Sequence, residues 1–142
     1  MAKTFRCSIV TPTAAVFDDE VAYASFPAWD GQHGMMAGQS PLLTRLGVGS
    51  LRLDFPPPDG GSRWFLIDGG FAQVQDGSLT LLTEGATPAE QLSIDEGQAE
   101  LAQANARVTK PGEELPKVER AQQRALAKIA LARSVRERGG AI

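Results

Sequence analysis

The chain has 142 residues, 42% of them hydrophobic, with a formal net charge of -3 at pH 7 and an isoelectric point near 5.1. This length fits one main hydrophobic core with an appendage better than two full domains. The acidic balance argues against nucleic-acid binding, which normally requires a basic domain or stripe.

The β-type segment comes first and fills residues 1–88. Side chains alternate in polarity from Thr4 to Val10 and again from Glu20 to Phe26, which is the period of half-buried strands, and Asp18-Asp19 is predicted to turn between them. Further along, Asp76-Gly77 between two alternating runs indicates a type I′ hairpin. Gly69-Gly70 predicts a bulge or bend. Strands at this spacing predict a sandwich or barrel.

Residues 29–38 carry three glycines and predict an exposed hairpin loop. This loop contains the only histidine, His33, and no carboxylate placed to orient its ring is evident from the sequence. One histidine and one cysteine, Cys7, cannot form a zinc site, and the catalytic motifs of hydrolases and nucleotide-binding loops are missing. We therefore expect a non-catalytic protein. Met35 and Met36 fit loop packing and partner contact equally well.

The single cysteine also bears on location. It excludes an intrachain disulfide, so we expect a reducing compartment. The start Met-Ala-Lys-Thr-Phe lacks the pattern of a signal or transit peptide, and no run approaches the ~18 apolar residues of a membrane span. Any membrane association is therefore expected to go through another protein, without lipid insertion.

The helical segment, residues 89–142, begins where the hydrophobic period changes from two to about 3.6. Ser93 and Glu96 fit a capping box for a first helix that ends near Val108, and a second helix begins near Pro116. Its predicted apolar stripe is Val118, Ala121, Ala125, Ile129 and Ala132. Because alanine dominates both helices, they can pack closely yet bury little area, so a weakly docked hairpin with two arrangements is our hypothesis.

Charged side chains are distributed unevenly along the chain. Residues 1–112 carry 7 basic and 13 acidic side chains, a net of -6, whereas residues 113–142 carry 7 basic and 4 acidic side chains, a net of +3. Such a cationic helix fits either a solvated face or an acidic partner surface.

Three stretches in order carry a resemblance: AGQSPLLTRLGVGSLRL at 37–53, LIDGGFAQVQ at 66–75, and LTLLTEGA at 79–86, followed by the helical hairpin. Together they resemble the epsilon subunits of F-type ATP synthase. The resemblance implies an N-terminal β sandwich over residues 1–88, an antiparallel two-helix hairpin over residues 89–142, and no catalysis.

The same resemblance implies a place in the rotor, with the gamma subunit and the c-subunit ring as partners, peripheral to the cytoplasmic face of a bacterial inner membrane. The implied c-ring contacts are Asp30, Gly31, Gln32 and His33. The second helix is implied to meet acidic segments of the alpha and beta subunits and to inhibit ATP hydrolysis, and the candidate contacts, chosen by charge and position, are Arg120, Arg124, Lys128, Arg133 and Arg136.

Some members of that family bind ATP at the hairpin through Ile/Leu-Asp-x-x-Arg-Ala. The corresponding residues here are 94–99, and Gln98 stands where the pattern has arginine. A candidate nucleotide set of Asp95, Gln98 and Lys128 therefore lacks a bidentate phosphate donor, which argues against ATP as a regulatory ligand. We expect no cofactor.

Two other readings of the sequence stay open. A free-standing β-sandwich adaptor or ligand-binding module would bind a small ligand tightly and ignore gamma. A small hydrolase would depend on His33.

Overall fold

The computed structural model describes residues 3–58, 60–107 and 115–140, and side chains within this set up to residue 135. The chain forms two compact units that divide after Thr87.

The first unit is built from eight strands joined in one sheet. The strands are β1 (Phe5–Val10), β2 (Ala15–Val21), β3 (Tyr23–Ala28), β4 (Gly31–Met36), β5 (Leu42–Asp54), β6 (Ser62–Gln75), β7 (Ser78–Leu82) and β8 (Ala86–Pro88). Their order is β2-β1-β7-β6-β5-β3-β4, and β8 pairs with β6. Neighbours along this order are antiparallel except β1 and β7, which are parallel.

The sheet folds over on itself to enclose one core. Phe17 of β2 lies 6.0 Å from Phe65 of β6 between ring centroids, although β1 and β7 stand between these strands in the sheet. The long strands β5 and β6 make this possible, since they reach beyond β7 and carry the sheet from one layer to the other. The buried cluster draws on both layers, including Ile9, Leu53 and Leu81. The predicted β sandwich is confirmed.

Gly69 and Gly70 lie where β6 departs from regular strand geometry. Both have positive φ, +80° and +112°, and the pairing of β6 with β5 omits Gly69. A Cβ at Gly70 would overlap the carbonyl oxygen of Leu82. The predicted bend is therefore present, and glycine is required there by both backbone angle and close approach.

Two local expectations are wrong. Asp18 and Asp19 lie inside β2 rather than in a turn, and most of the predicted loop at 29–38 is strand β4. Both strands are edges of the sheet, where charged or glycine-rich sequence is tolerated because one side of the strand has no ladder to complete. Asp18 also accepts hydrogen bonds from Arg6 and Ser8 of β1, which hold the pKa of its carboxyl below the ordinary value.

The second unit contains a short 3-10 turn (Ala89–Gln91) and two helices, α1 (Ile94–Arg107) and α2 (Leu115–Gly140). The Ser93 hydroxyl oxygen accepts a hydrogen bond from the backbone N–H of Glu96 at 3.3 Å, so the predicted N-cap of α1 is confirmed. Side-chain contacts join Glu100 to Lys128 and Asn105 to Gln122, a register that makes the helices antiparallel. The predicted hairpin is confirmed.

The buried face of α2 differs in part from the predicted stripe. Val118, Ala125 and Ala132 are buried as expected, whereas Ala121 and Ile129 are only partly so. Leu131 and Lys128 are buried too, and the hydrophobic pattern had not identified them. The burial of Lys128 was not predicted because hydrophobic periodicity considers only apolar residues, and lysine is charged. Within the described ranges, neither helix is long and apolar enough to cross a membrane.

Candidate partner-binding sites

The turn between β3 and β4 presents a compact polar cluster. The Asp30 carboxylate lies 3.1 Å from Nε2 of His33, and the His33 ring stacks on Phe26 with centroids 5.6 Å apart. The two strands place His33 directly opposite Phe26. The sequence had shown no carboxylate to orient the histidine, and this expectation is wrong, because the turn brings Asp30 back over the third residue that follows it.

All four residues that were predicted to contact the c ring lie in this turn or at the start of β4. Gly31 and Gln32 complete the set, and the Gln32 side chain donates a hydrogen bond to the Ser50 carbonyl at 2.9 Å. Gly31 has φ +130° and no heavy atom near its Cβ position. The neighbouring Trp29 is 67% exposed. One end of the domain therefore carries an exposed aromatic side chain next to residues that are held by internal contacts. We call residues 29–33 the β3–β4 tip.

The two methionines of β4 separate the alternatives left by the sequence. Met35 is buried in the core, whereas Met36 is 64% exposed. Alternation along a strand places them on opposite faces. Loop packing is thus the role of Met35, and only Met36 is available to a partner.

The outer face of the sheet carries an apolar surface that the sequence analysis did not identify. Phe71 of β6 stands directly opposite Leu82 of β7, and both are about half exposed. Leu82 is in turn paired with Val10 of β1. On β5, Leu43 is exposed on the same face, two residues from the Arg45 that pairs with Phe71. We call Val10, Leu43, Phe71 and Leu82 the outer apolar surface.

A shallow groove of about 360 Å³ adjoins this surface. Its lining includes Val10, Pro12, Phe71 and Leu82. A signal for these residues does exist in the sequence: Phe71 and Leu82 are large apolar side chains out of phase with their strands, whose alternation buries Ala72 and Leu81 instead. Their outward position follows from that phase.

The cationic candidates of α2 fall into different environments. Arg120 and Arg133 are exposed, and Arg136 is in the helix but its side chain lies outside the described residues. Arg124 and Lys128 meet on one α1 carboxylate: Nη1 of Arg124 lies 3.1 Å from Oε2 of Glu100, and Nζ of Lys128 lies 2.6 Å from its Oε1. The Lys128 side chain is only 9% exposed.

The residues of the candidate nucleotide set differ in exposure and bonding. Asp95 and Gln98 are exposed on α1, whereas the Lys128 ammonium is buried and bonded to Glu100. A phosphate would thus have to displace Glu100 to reach this lysine.

Buried chemistry in the β domain is structural. Cys7 lies in the core, and burial, followed by the charge of Asp18, raises the pKa of its thiol from the ordinary 9.0 to about 12. A thiol held protonated in this way is a poor nucleophile. Among the residues that the structure describes, no group of three or more metal-ligating side chains converges.

Residues 4–89 match the family model of the ATP synthase delta/epsilon chain beta-sandwich domain. The chain belongs to this family. An ATP synthase epsilon chain of Rhodopirellula baltica is 41% identical over 101 residues, which are 71% of this chain and 77% of that protein. An epsilon chain of Nitratidesulfovibrio vulgaris is 34% identical over 141 residues, covering 99% of this chain and 100% of the relative.

The fold of this chain also recurs in solved structures. A chain in the Euglena gracilis mitochondrial ATP synthase, from a structure of its OSCP, F1 and c-ring, superposes with a TM-score of 0.80 at 23% identity, covering 89% of this chain and 80% of that one. A chain of the Tetrahymena thermophila central stalk and c-ring gives a TM-score of 0.56 at 14% identity, covering 94% and 96%. These likenesses concern the fold.

Membership among the epsilon chains confirms two expectations from the sequence. The family is the one that the three motifs indicated. An epsilon chain is a structural and regulatory subunit of ATP synthase rather than a catalytic one, so the prediction of a non-catalytic protein is confirmed through the family.

Proposed function

We propose that this chain is a rotor subunit of the ATP synthase central stalk, that its β domain binds the gamma subunit and the c ring, and that its hairpin restrains ATP hydrolysis. The observation that carries the proposal is the similarity to epsilon chains along 99% of the sequence. A subunit of this kind works by presenting surfaces, and the β domain offers two.

The outer apolar surface is the proposed gamma site. Leu43, Phe71 and Leu82 are large apolar side chains exposed on adjacent strands, and exposed apolar patches of this kind mark protein interfaces. Aromatic residues are enriched among those that dominate binding energy, so Phe71 is the proposed anchor. Arg45 beside it supplies a polar rim.

The β3–β4 tip is the proposed c-ring site. Asp30, Gly31, Gln32 and His33 lie together there, and the contacts to Phe26 and Ser50 hold the tip in shape before a partner binds. Preorganisation of this kind lowers the entropy lost on association. Trp29 adds an exposed aromatic side chain suited to a polar and apolar boundary.

Helix α2 is the proposed inhibitory element. Arg120 and Arg133 are exposed on it, and guanidinium groups suit paired recognition of carboxylates on an acidic segment of the catalytic subunits. We assign no ATP-binding role to Asp95, Gln98 and Lys128, because Lys128 is bonded to Glu100 and Gln98 lacks the charge of an arginine. In the assembled complex the chain would lie peripheral to the membrane, on its cytoplasmic face.

The test is reconstitution with gamma, the c ring and the catalytic subunits of the same organism. The full chain should copurify with gamma and with the c ring. Deleting residues 88–142 should leave both interactions intact and raise the ATPase rate, because the β domain has its own closed core. Loss of gamma binding by the full chain would refute the rotor role, and an ATPase rate unchanged by the deletion would refute the inhibitory role.

A further inference from the structure

Glu100 of α1 forms ion pairs with two cations of α2. Each of its oxygens is taken by a different side chain, Oε2 by Arg124 and Oε1 by Lys128. Arg124 and Lys128 follow Glu100 by 24 and 28 positions in the sequence and lie on the other helix. Both ion pairs therefore exist only while the two helices are packed together.

The α1 side of the interface supplies little apolar area. Its buried positions are Gly97 and Ala104, and Ile129 and the Ala125 carbonyl of α2 lie against Gly97. Alanine and glycine let the helices approach closely but remove far less surface from water than leucine does. A charge-assisted contact therefore contributes a larger share of the free energy that holds these two helices together than it would in a leucine-rich interface.

Lys128 makes the contact more than a surface ion pair. Its side chain is 9% exposed, against 37% for Glu100. A buried ammonium without a carboxylate is strongly unfavourable, so loss of Glu100 obliges Lys128 to reach solvent. It does so either by rotating out of the interface or by separation of the helices.

Arg124 and Lys128 are also two of the five α2 cations that the resemblance made candidates for the inhibitory contact with an acidic partner. Nη1 of Arg124 and Nζ of Lys128 are hydrogen-bonded to Glu100 in the closed hairpin, so these donors have to leave Glu100 before they can bind a carboxylate of a partner. Closure of the hairpin and use of these two cations by a partner are thus competing states of the same side chains.

We propose that Glu100 is an internal latch, a carboxylate that stands in for the acidic partner, keeps the hairpin closed and withholds Arg124 and Lys128 from the inhibitory contact. The latch is a property of the hairpin itself, whereas its effect on ATPase rests on the proposed inhibitory function. The two parts are measured separately.

Closure is measured on the purified full chain by the distance between two nitroxide labels. The labels sit at the exposed positions Gln98 and Ala130, in a Cys7→Ser background. Glu100→Gln should add a longer-distance population that is absent with Glu100 in place. The matched control is Glu119→Gln, which removes the same charge from an exposed position on α2 and should leave the distance unchanged.

A double variant guards against simple loss of folding. Glu100→Gln with Lys128→Met removes the stranded ammonium as well as the carboxylate, and an apolar side chain in a buried ion-pair position is often neutral or stabilising. The short distance should return. A distribution for Glu100→Gln that matches the parent chain would overturn the latch, and so would a double variant as open as the single one.

Regulation is measured as ATPase inhibition in the reconstituted complex. Glu100→Gln should reach half-inhibition at a concentration roughly threefold to tenfold lower, the effect of releasing the two ion pairs that Glu100 forms. An open hairpin with unchanged inhibition would overturn the competition while the latch stands. If the parent chain does not inhibit relative to the deletion of 88–142, the inhibitory function itself is wrong, and the label distances still decide the latch.

Discussion

Gly97 of α1 lies against Ile129 of α2 so closely that a Cβ added to the glycine would be 2.6 Å from Cγ1 of the isoleucine. The same Cβ would be 3.3 Å from the Ile129 backbone nitrogen. From sequence alone this glycine is only a cost of roughly 1 kcal/mol to helix α1. In the folded hairpin it is what allows the two helices to approach.

Gly97→Ala should therefore weaken docking of the hairpin while making α1 intrinsically more helical. The propensity gain of about 1 kcal/mol is outweighed by overpacking of about 1 to 3 kcal/mol, because Ile129 has to change rotamer and the backbone behind it resists movement. Amide hydrogen exchange should speed up at the α1–α2 interface. Gln98→Ala, at the next and exposed position, should show no such change, and slower exchange in Gly97→Ala would contradict the packing argument.

Gly70→Ala should destabilise the β domain by at least about 3 kcal/mol, since a side chain there combines strain at positive φ with overlap of the Leu82 backbone. Gly85→Ala is the matched control, because its Cβ would meet Asp68 at an ordinary 3.5 Å. Urea denaturation of both variants measures the difference. Equal midpoints would show that the strand can shift at little cost.

Phe71→Ser should reduce affinity for gamma roughly tenfold or more, as expected for an aromatic anchor. Its effect on the free energy of unfolding should be small, because the side chain is about half exposed already. Gln75→Ala, at the exposed end of β6 beside Ser78 and away from the outer apolar surface, should bind gamma normally. Titration of labelled protein with gamma decides the matter, and unchanged affinity for Phe71→Ser would remove the outer apolar surface from the interface.

Trp29→Ser should weaken binding to the c ring by roughly tenfold, because the β3–β4 tip loses its aromatic contact. Met36→Ser is the control, since Met36 is 64% exposed, similar to the 67% of Trp29, but lies at the far end of β4. Copurification with detergent-solubilised c ring at graded salt measures both. If the Met36 variant loses the ring and the Trp29 variant keeps it, the contact lies at the other end of the strand.

Cys7 should give the β domain a pH-dependent component of stability. Its pKa is raised from 9.0 to about 12 in the fold, so the unfolded chain loses the thiol proton first. The stabilising contribution is fully present below pH 9 and falls as the pH rises from 9 towards 12, initially by about 1 kcal/mol per unit.

Urea denaturation of the parent chain and of Cys7→Ala between pH 8 and pH 10 checks this component. The free energy of unfolding should fall more steeply for the parent chain. The folded parent should also resist thiol reagents at pH 8, whereas Gln103→Cys in the Cys7→Ala background, at an exposed position, should react at once. Parallel pH profiles would mean that Cys7 ionises while the core stays folded.

Most local features of this protein were predictable because they depend on neighbouring residues. The Asp76-Gly77 turn has positive φ at both positions, +52° and +74°, and the Ser93 cap forms as expected. Both depend on short-range backbone geometry, which the side chains on either side decide. The mistakes at Asp18 and at residues 31–36 have the opposite cause, since pairing with β1 and β3 outweighed weak local strand preference.

The sequence by itself determined the change from strands to helices near Pro88, the hairpin turns and caps, and the cationic character of α2. Only the tertiary structure decided that Phe71 and Leu82 stand side by side, and that Glu100 holds Arg124 and Lys128. Those contacts join residues far apart in the chain, so they depend on strand order and on the register of one helix against the other. No periodicity in the sequence encodes either one.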